Sequence, residues 1–328
     1  MSLGQGHDSW VGIGVQTVLG TPVVASQYLD FISEGIEYQP TRGHLVNAGA
    51  VDPSVHKELY RRSGGPIEVY ANYEGLETLL LFAFGDVTTT TESGAAKRHT
   101  YALAKNLPGP GLTLEVNRSV EAFLYEGCKV NEVEFIQEAE DFLRVRFGLL
   151  GRNETLDETP TEPTASSFPA ELQILGAHLS AILRVNGASP VADLPLVVNR
   201  LSLMLNNAAA HRASTGIDSK EIVRTGKRAI TFSADLDFDA VTRYDEYRAL
   251  TDMELVLTWT GAEIIPGFNY TLNLTLPRFN WDGKTPTVAG PGPITVEMAG
   301  TAMDTERFAQ DAITGYLINT VTAVEGDS

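Results

Sequence analysis

Ala122-Phe123-Leu124-Tyr125-Glu126, Val130-Asn131-Glu132-Val133-Glu134-Phe135 and Phe142-Leu143-Arg144-Val145-Arg146-Phe147 follow one another with short gaps, and apolar residues recur in them at nearly every second place. Successive side chains of a strand point to opposite faces, so a period of two marks strands with one buried and one wetter face. With Leu112-Thr113-Leu114-Glu115-Val116 just upstream, the run gives four strands in about forty residues, which predicts an antiparallel sheet or a barrel wall.

Upstream of this block, Gly64-Gly65-Pro66 leads into Ile67-Glu68-Val69-Tyr70-Ala71 and then a helix-like segment from Tyr73 to Phe84, with Asn72 as its N-cap and Gly85 as its stop. About 165 residues later the order recurs. Thr225-Gly226-Lys227 leads into Ala229-Ile230-Thr231-Phe232-Ser233-Ala234-Asp235-Leu236, and a second helix-like segment runs from Asp239 to Leu250. Strand patterns complete the second copy at Ala181 to Val185, Leu196 to Asn206, Met253 to Thr260, Asn269 to Pro277 and Pro293 to Thr301.

Between the copies, Leu156 to Pro169 carries Pro160, Pro163 and Pro169 among Thr, Glu and Ser, the composition of a linker. The expected division is a first domain over 1–155, with an N-terminal arm over 1–27, a linker over 156–169 and a second domain over 170–328. The fold class is mainly β with one short helix per domain, as tandem barrel or sandwich domains with long loops. Thr41 to Arg62 is a polar connection of about twenty residues without clear periodicity; a loop of that length inside a compact domain is usually functional and can reach a neighbouring subunit, and Ala208 to Thr225 is the loop of the second half. Thr88 to Gly94 reads as a polar loop tip.

The chain has 328 residues and a formal charge of -18, from 42 acidic and 24 basic side chains. That balance lacks the surplus of Lys and Arg with which proteins grip nucleic acid. No apolar run approaches the ~18 residues of a membrane span, and the first residues show neither the basic nor the apolar region of a signal peptide. Cys128 is the single cysteine, so no intramolecular disulfide forms; its expected state is a buried, inert thiol.

Catalytic and metal motifs are missing. The six histidines, at 7, 44, 56, 99, 178 and 211, show no helical or hairpin metal spacing in the sequence. Gly12-Ile13-Gly14-Val15 follows no strand pattern and precedes no helix, which argues against a dinucleotide fingerprint. No nucleophile elbow or phosphate loop occurs. Glu132 or Glu134 with a partner across the sheet would make a glycosidase pair, but charged residues on the wet face of alternating strands account for them more simply. The expectation is a non-enzyme without cofactor or metal.

Gly12-Ile13-Gly14-Val15-Gln16-Thr17-Val18-Leu19-Gly20-Thr21-Pro22, followed by Tyr28-Leu29-Asp30-Phe31-Ile32-Ser33-Glu34, resembles the start of the tail tube proteins, or major tail proteins, of long-tailed bacteriophages and prophages. The likeness continues through Gly64-Gly65-Pro66-Ile67-Glu68-Val69, the helix around Leu76 to Leu81 and the late run Leu274-Thr275-Leu276-Pro277-Arg278-Phe279. It implies a virion protein whose strands join those of its neighbours into a continuous inner barrel. The rings stack into a tube that passes DNA without binding it specifically. Its partners would be further copies of itself, the tail terminator, the tape measure and the distal tail proteins, with no membrane. Family members with one such domain form six-fold rings, so two tandem copies imply a trimer with pseudo-six-fold symmetry rather than a hexamer. On that reading Glu115, Glu132, Glu134, Asp235 and Asp237 are candidates to line the bore. Val46, Asp52, His56 and Lys57 in the first long loop, with His211, Asp218 and Lys220 in the second, are candidates for ring-to-ring contacts. The rival readings are a soluble β-sandwich binding module, such as an adhesin or carbohydrate-binding protein, and the tube of a contractile injection machine.

Overall fold

The computed structural model describes residues 5–327 apart from 47, 50, 53–54, 158, 165–166, 169–171, 187–193, 217–219, 238–244, 246–247, 284, 286–293, 307–308 and 310. In chain order the first half contains β1 (Trp10–Val15), β2 (Gln27–Leu29), β3 (Phe31–Glu34), β4 (Glu37–Tyr38), β5 (Thr41–Leu45), β6 (Val55–Tyr60), β7 (Ser63–Tyr70), α1 (Glu77–Phe84), β8 (Gly85–Ser93), β9 (Ala96–Leu103), β10 (Leu112–Asn117), β11 (Ala122–Glu138), β12 (Arg144–Gly151) and β13 (Asn153–Asp157). The second half contains β14 (Leu179–Val185), β15 (Leu194–Leu196), β16 (Val198–Asn206), β17 (Ala209–Arg212), β18 (Glu221–Arg224), β19 (Ala229–Asp237), β20 (Asp252–Ile265), β21 (Phe268–Gly283), β22 (Thr295–Ala302) and β23 (Thr314–Asn319). The fold is mainly β, as the alternation predicts.

The pairings are duplicated strand for strand. In the first half β2 pairs with β1, β1 with β10, β10 with β11, and β11 with both β12 and β13, while β12 pairs with β7 and β7 with β3. In the second, β15 pairs with β14, β14 with β20, β20 with β21, and β21 with both β22 and β23, while β22 pairs with β19 and β19 with β16. A two-stranded hairpin, β5–β6 or β17–β18, interrupts each copy at the same place. The β8–β9 hairpin has no counterpart among the described residues of the second half.

One long strand in each copy serves two sheets. Residues 122–128 of β11 pair with β10 and β13, and residues 129–138 pair with β12 and β16. The transfer occurs at a bulge where the register slips and Gly127 takes φ 61°, which is the usual way a strand bends between sheets. β21 slips register between its pairs with Met253 and Leu255, and the two residues left over there are Pro277 and Arg278; a bulge tolerates a proline that cannot donate to the ladder.

The two copies meet directly. β11 and β16 run antiparallel through seven residue pairs, from Glu132 opposite Asn206 to Glu138 opposite Arg200. This seam joins the halves into one wall of eight strands, in the order β3, β7, β12, β11, β16, β19, β22, β21. A second junction pairs β23 with β9. The apolar side of the wall is packed: Val133, Phe135, Val145, Phe147, Leu203, Leu205, Phe232 and Met298 are at most 3% exposed and belong to one contiguous core that runs through both halves. All eight residues of α1 are buried, and Leu79 to Phe84 belong to this core, as expected of a helical stretch apolar all round. Gly85 ends the helix at φ 113° with its N–H on the Leu81 carbonyl, a conformation open to glycine and costly for other residues.

Several expectations differ. Residues 10–15, placed in an arm, form a buried strand inside a sheet. The two long loops are hairpins, and Thr88 to Ser93 is most of β8 rather than a loop tip. Leu76, not Asn72, is the N-cap of α1; Asn72 forms an isolated bridge with Gln173. Leu156 and Asp157, assigned to the linker, pair with Phe123 and Ala122 as part of β13. The second expected helix, Asp239 to Leu250, lies for the most part outside the described residues.

Candidate assembly surface

The alternation that buries one face of the wall leaves a polar face opposite. Glu68, Arg146, Glu134, Met204, Thr231 and Thr301 lie side by side across six strands, one from each. In the neighbouring rows Glu132 stands opposite Asn206, and Glu138, Arg200, Asp235 and Glu297 follow one another. Carboxylates of the first copy reach across the seam: Ser202 Oγ donates to Glu134 Oε1 at 2.7 Å, and Asn206 Nδ2 donates to Glu132 Oε1. Arg144, on the same face, lies 3.4 Å from Glu68 and 3.5 Å from Glu138. Asn199 Nδ2 donates to Asp237 Oδ1 at 2.9 Å, and Asp235 is exposed. Four of the five predicted lining residues, Glu132, Glu134, Asp235 and Asp237, therefore share one face of one sheet.

Glu115 does not. It is 3% exposed, because β10 is covered on both sides, and its Oε1 accepts the Thr161 N–H at 2.7 Å. The Tyr28 hydroxyl donates to the Thr161 carbonyl at 2.7 Å, so the segment after β13 is latched over β2 and β10. Burial, with the neighbouring Asp157, pushes the Glu115 carboxyl up to about 7. β10 also belongs to the sheet of β1 and the first part of β11, not to the wall, and the covering segment closes over it.

The two hairpins differ in setting. On the first, Val46, Asp52, His56 and Lys57 are all exposed, with Leu45, Val51 and Leu59 adding uncovered apolar surface. The second is tied down. Arg224 Nε donates to the Asn207 carbonyl at 3.0 Å, much as Arg62 Nε donates to the Gln39 carbonyl at 3.2 Å in the first copy. Arg224 Nη1 also reaches the Ala104 carbonyl at 3.2 Å, which clamps the second hairpin onto the first half. His211 is half-buried, its imidazole pushed down by burial and by the nearby Arg62 charge. Lys220 is exposed, and Asp218 lies outside the described residues.

Two features were not legible from spacing. His44 and His56, twelve positions apart, stand directly opposite each other in β5–β6, so a hairpin pair of histidines exists that the sequence conceals behind a long connecting loop. The wall also ends in two open edges: β3 has β7 on one side, and Trp281 to Gly283 of β21 have β22 on one side, with no further strand on the other side of either among the described residues.

A family model described as phage tail tube protein matches residues 6–302, a range that takes in every strand of the wall. The chain belongs to the phage tail tube protein family. No curated protein matches it. The family match runs across both copies of the repeat, so it applies to the joined wall and not to one half alone. In this tail tube protein Cys128, 1% exposed with its thiol pushed up by burial, is a core residue.

Proposed function

We propose that this tail tube protein polymerises as stacked rings of three chains, with β3 of one copy pairing against the end of β21 in the next, and that the polar face of the wall lines a passage for DNA. The observation that carries this reading is the seam. Within the chain, the equivalent strands β16 and β11 already pair antiparallel through seven residues, while the corresponding edges at the two ends of the wall are open. An open edge is a template for pairing with another strand, and closure around a ring removes every edge. Three chains of eight wall strands close a wall of twenty-four strands containing six copies of the repeat. Because α1 and the other sheets cover the apolar side, closure turns the polar side inward.

Stacking then falls to the exposed β5–β6 hairpin, whose apolar residues have nothing to pack on in a single chain. Terminator, tape measure and distal tail proteins are the partners such a tube meets at its ends and in its bore, and its location is the virion tail. The reading is tested by electron microscopy of concentrated protein beside an Ile32→Lys variant. Ile32 is an exposed residue of the β3 edge, and a lysine there discourages edge pairing. Wild-type rings of three chains and a folded, unassembled variant are expected. Rings of six whole chains, or a variant that assembles normally, refute the edge model.

A further inference from the structure

The β5–β6 hairpin forms a two-stranded sheet of its own, and an isolated two-stranded hairpin is marginal in water. His44 and His56 face each other in the middle of it, between the Gly43–Lys57 and Leu45–Val55 pairs. Their rings are stacked, with centroids 4.6 Å apart and planes 25° apart. Both residues are exposed. Neither ring holds a hydrogen bond to another described residue, so their nitrogens are available to a ligand.

We propose that His44 and His56 form a two-imidazole site for a divalent transition metal of the zinc, nickel or copper type, clamping β5 to β6. Imidazole nitrogen suits these ions. A tetrahedral centre with metal–nitrogen bonds of about 2.0–2.1 Å needs its two nitrogens roughly 3.3 Å apart. Rings stacked 4.6 Å apart reach that separation by side-chain rotation alone, since their strands are already held in register. The remaining positions take water. Arg42 and Glu58 form the adjacent cross-strand pair on the same side of the hairpin, but the Glu58 carboxylate accepts from the Tyr38 hydroxyl and from Arg61 Nε, each at 2.7 Å, and so is already engaged. Among the described residues no group of three or more His, Cys, Asp and Glu is placed to hold a metal ion, so the proposed site has two protein ligands. Chelation across the ladder fixes the register of the hairpin and adds stability that rises with the logarithm of the free metal concentration above its Kd.

The test is calorimetric titration of Zn2+ into the metal-free, full-length protein, with His44→Ala, His56→Ala and the double variant alongside, and electron paramagnetic resonance of the Cu2+ form. One metal per chain is expected, with affinity falling on the order of tenfold or more in each single variant and copper coupled to two nitrogens only in the wild type. Circular dichroism confirms that the variants, altered at exposed positions, remain folded. Equal Zn2+ affinity in the wild type and the double variant would show that the acidic surface alone collects the metal and would overturn the proposal, as would the absence of binding at millimolar Zn2+.

Discussion

Two glutamates are held almost out of water. Glu77, 4% exposed in α1, accepts the Gly75 N–H at 2.8 Å and a hydrogen bond from Asn319 Nδ2 at the end of β23. Burial pushes it up to about 7, and Glu74 adds to the shift while the donors oppose it. Glu115 reaches the same range beneath Thr161. Both start from 4.5 when exposed. Between pH 4.5 and about 7 the folded chain therefore keeps protons that the unfolded chain has released, so each glutamate lowers stability as pH rises through that window, by up to about 3 kcal/mol. His99 and His178, with imidazoles pushed down by burial, act in the opposite sense near the top of the window. The informative quantity is thus the difference between variant and wild type. Urea unfolding of Glu77→Gln and of Glu115→Gln should show each variant gaining on the wild type from pH 5 to pH 8; a gap that stays constant with pH refutes the assignment.

Among the elements, strands with one buried face were legible and strands without one were not. β11, β12, β19 and β21 alternate because the wall packs on one side only, and alternation is what a sequence displays. β5 and β6 are exposed on both faces, and β1 is buried on both, so neither shows a period of two. β1 is further disguised by its glycines. A Cβ on Gly12 would lie 2.6 Å from the Ala25 Cβ, and one on Gly14 would lie 2.6 Å from the Val24 carbonyl oxygen; the glycines serve close packing of the returning chain, although they read as a loop. The threonines of β8 read as a polar tip, yet their branched side chains suit a strand and β9 supplies the partner. The same limit governed the surface residues: alternation placed Glu132 and Glu134 together, and the pairing of β10 in the other sheet, with the cover over it, set Glu115 apart. The β5–β6 hairpin also permits a test at this scale. Deletion of Val46 to Lys57 leaves the wall strands β3, β7, β12 and β11 intact, so the expected product is a soluble, folded subunit that forms rings but not stacks by sedimentation and electron microscopy. Tubes of normal length from the deletion would take ring stacking away from this hairpin.

For the whole molecule, the wall face decides what a closed tube would present to its contents. Among the described residues Glu68, Glu132, Glu134, Glu138, Asp235, Asp237, Asp282 and Glu297 share it with Arg144, Arg146 and Arg200, eight carboxylates against three guanidinium groups. Arg144 is already matched by Glu68 and Glu138, so the surplus is anionic. At physiological salt such charges act over roughly 8 Å, so on the proposed reading they would hold phosphates off the wall of a closed tube. Glu132 and Glu134 also hold the seam through Asn206 and Ser202, so altering them confounds assembly with passage. Asp235 and Glu297 are exposed neighbours on adjacent strands and can be changed without touching those bonds. A virion carrying Asp235→Lys and Glu297→Lys should build tails of unchanged length but release its genome more slowly, with the delay shrinking as salt rises because added ions screen the new attraction. Release at the wild-type rate across salt concentrations would mean that this face does not line the bore, whereas shortened or missing tails would place these residues in assembly.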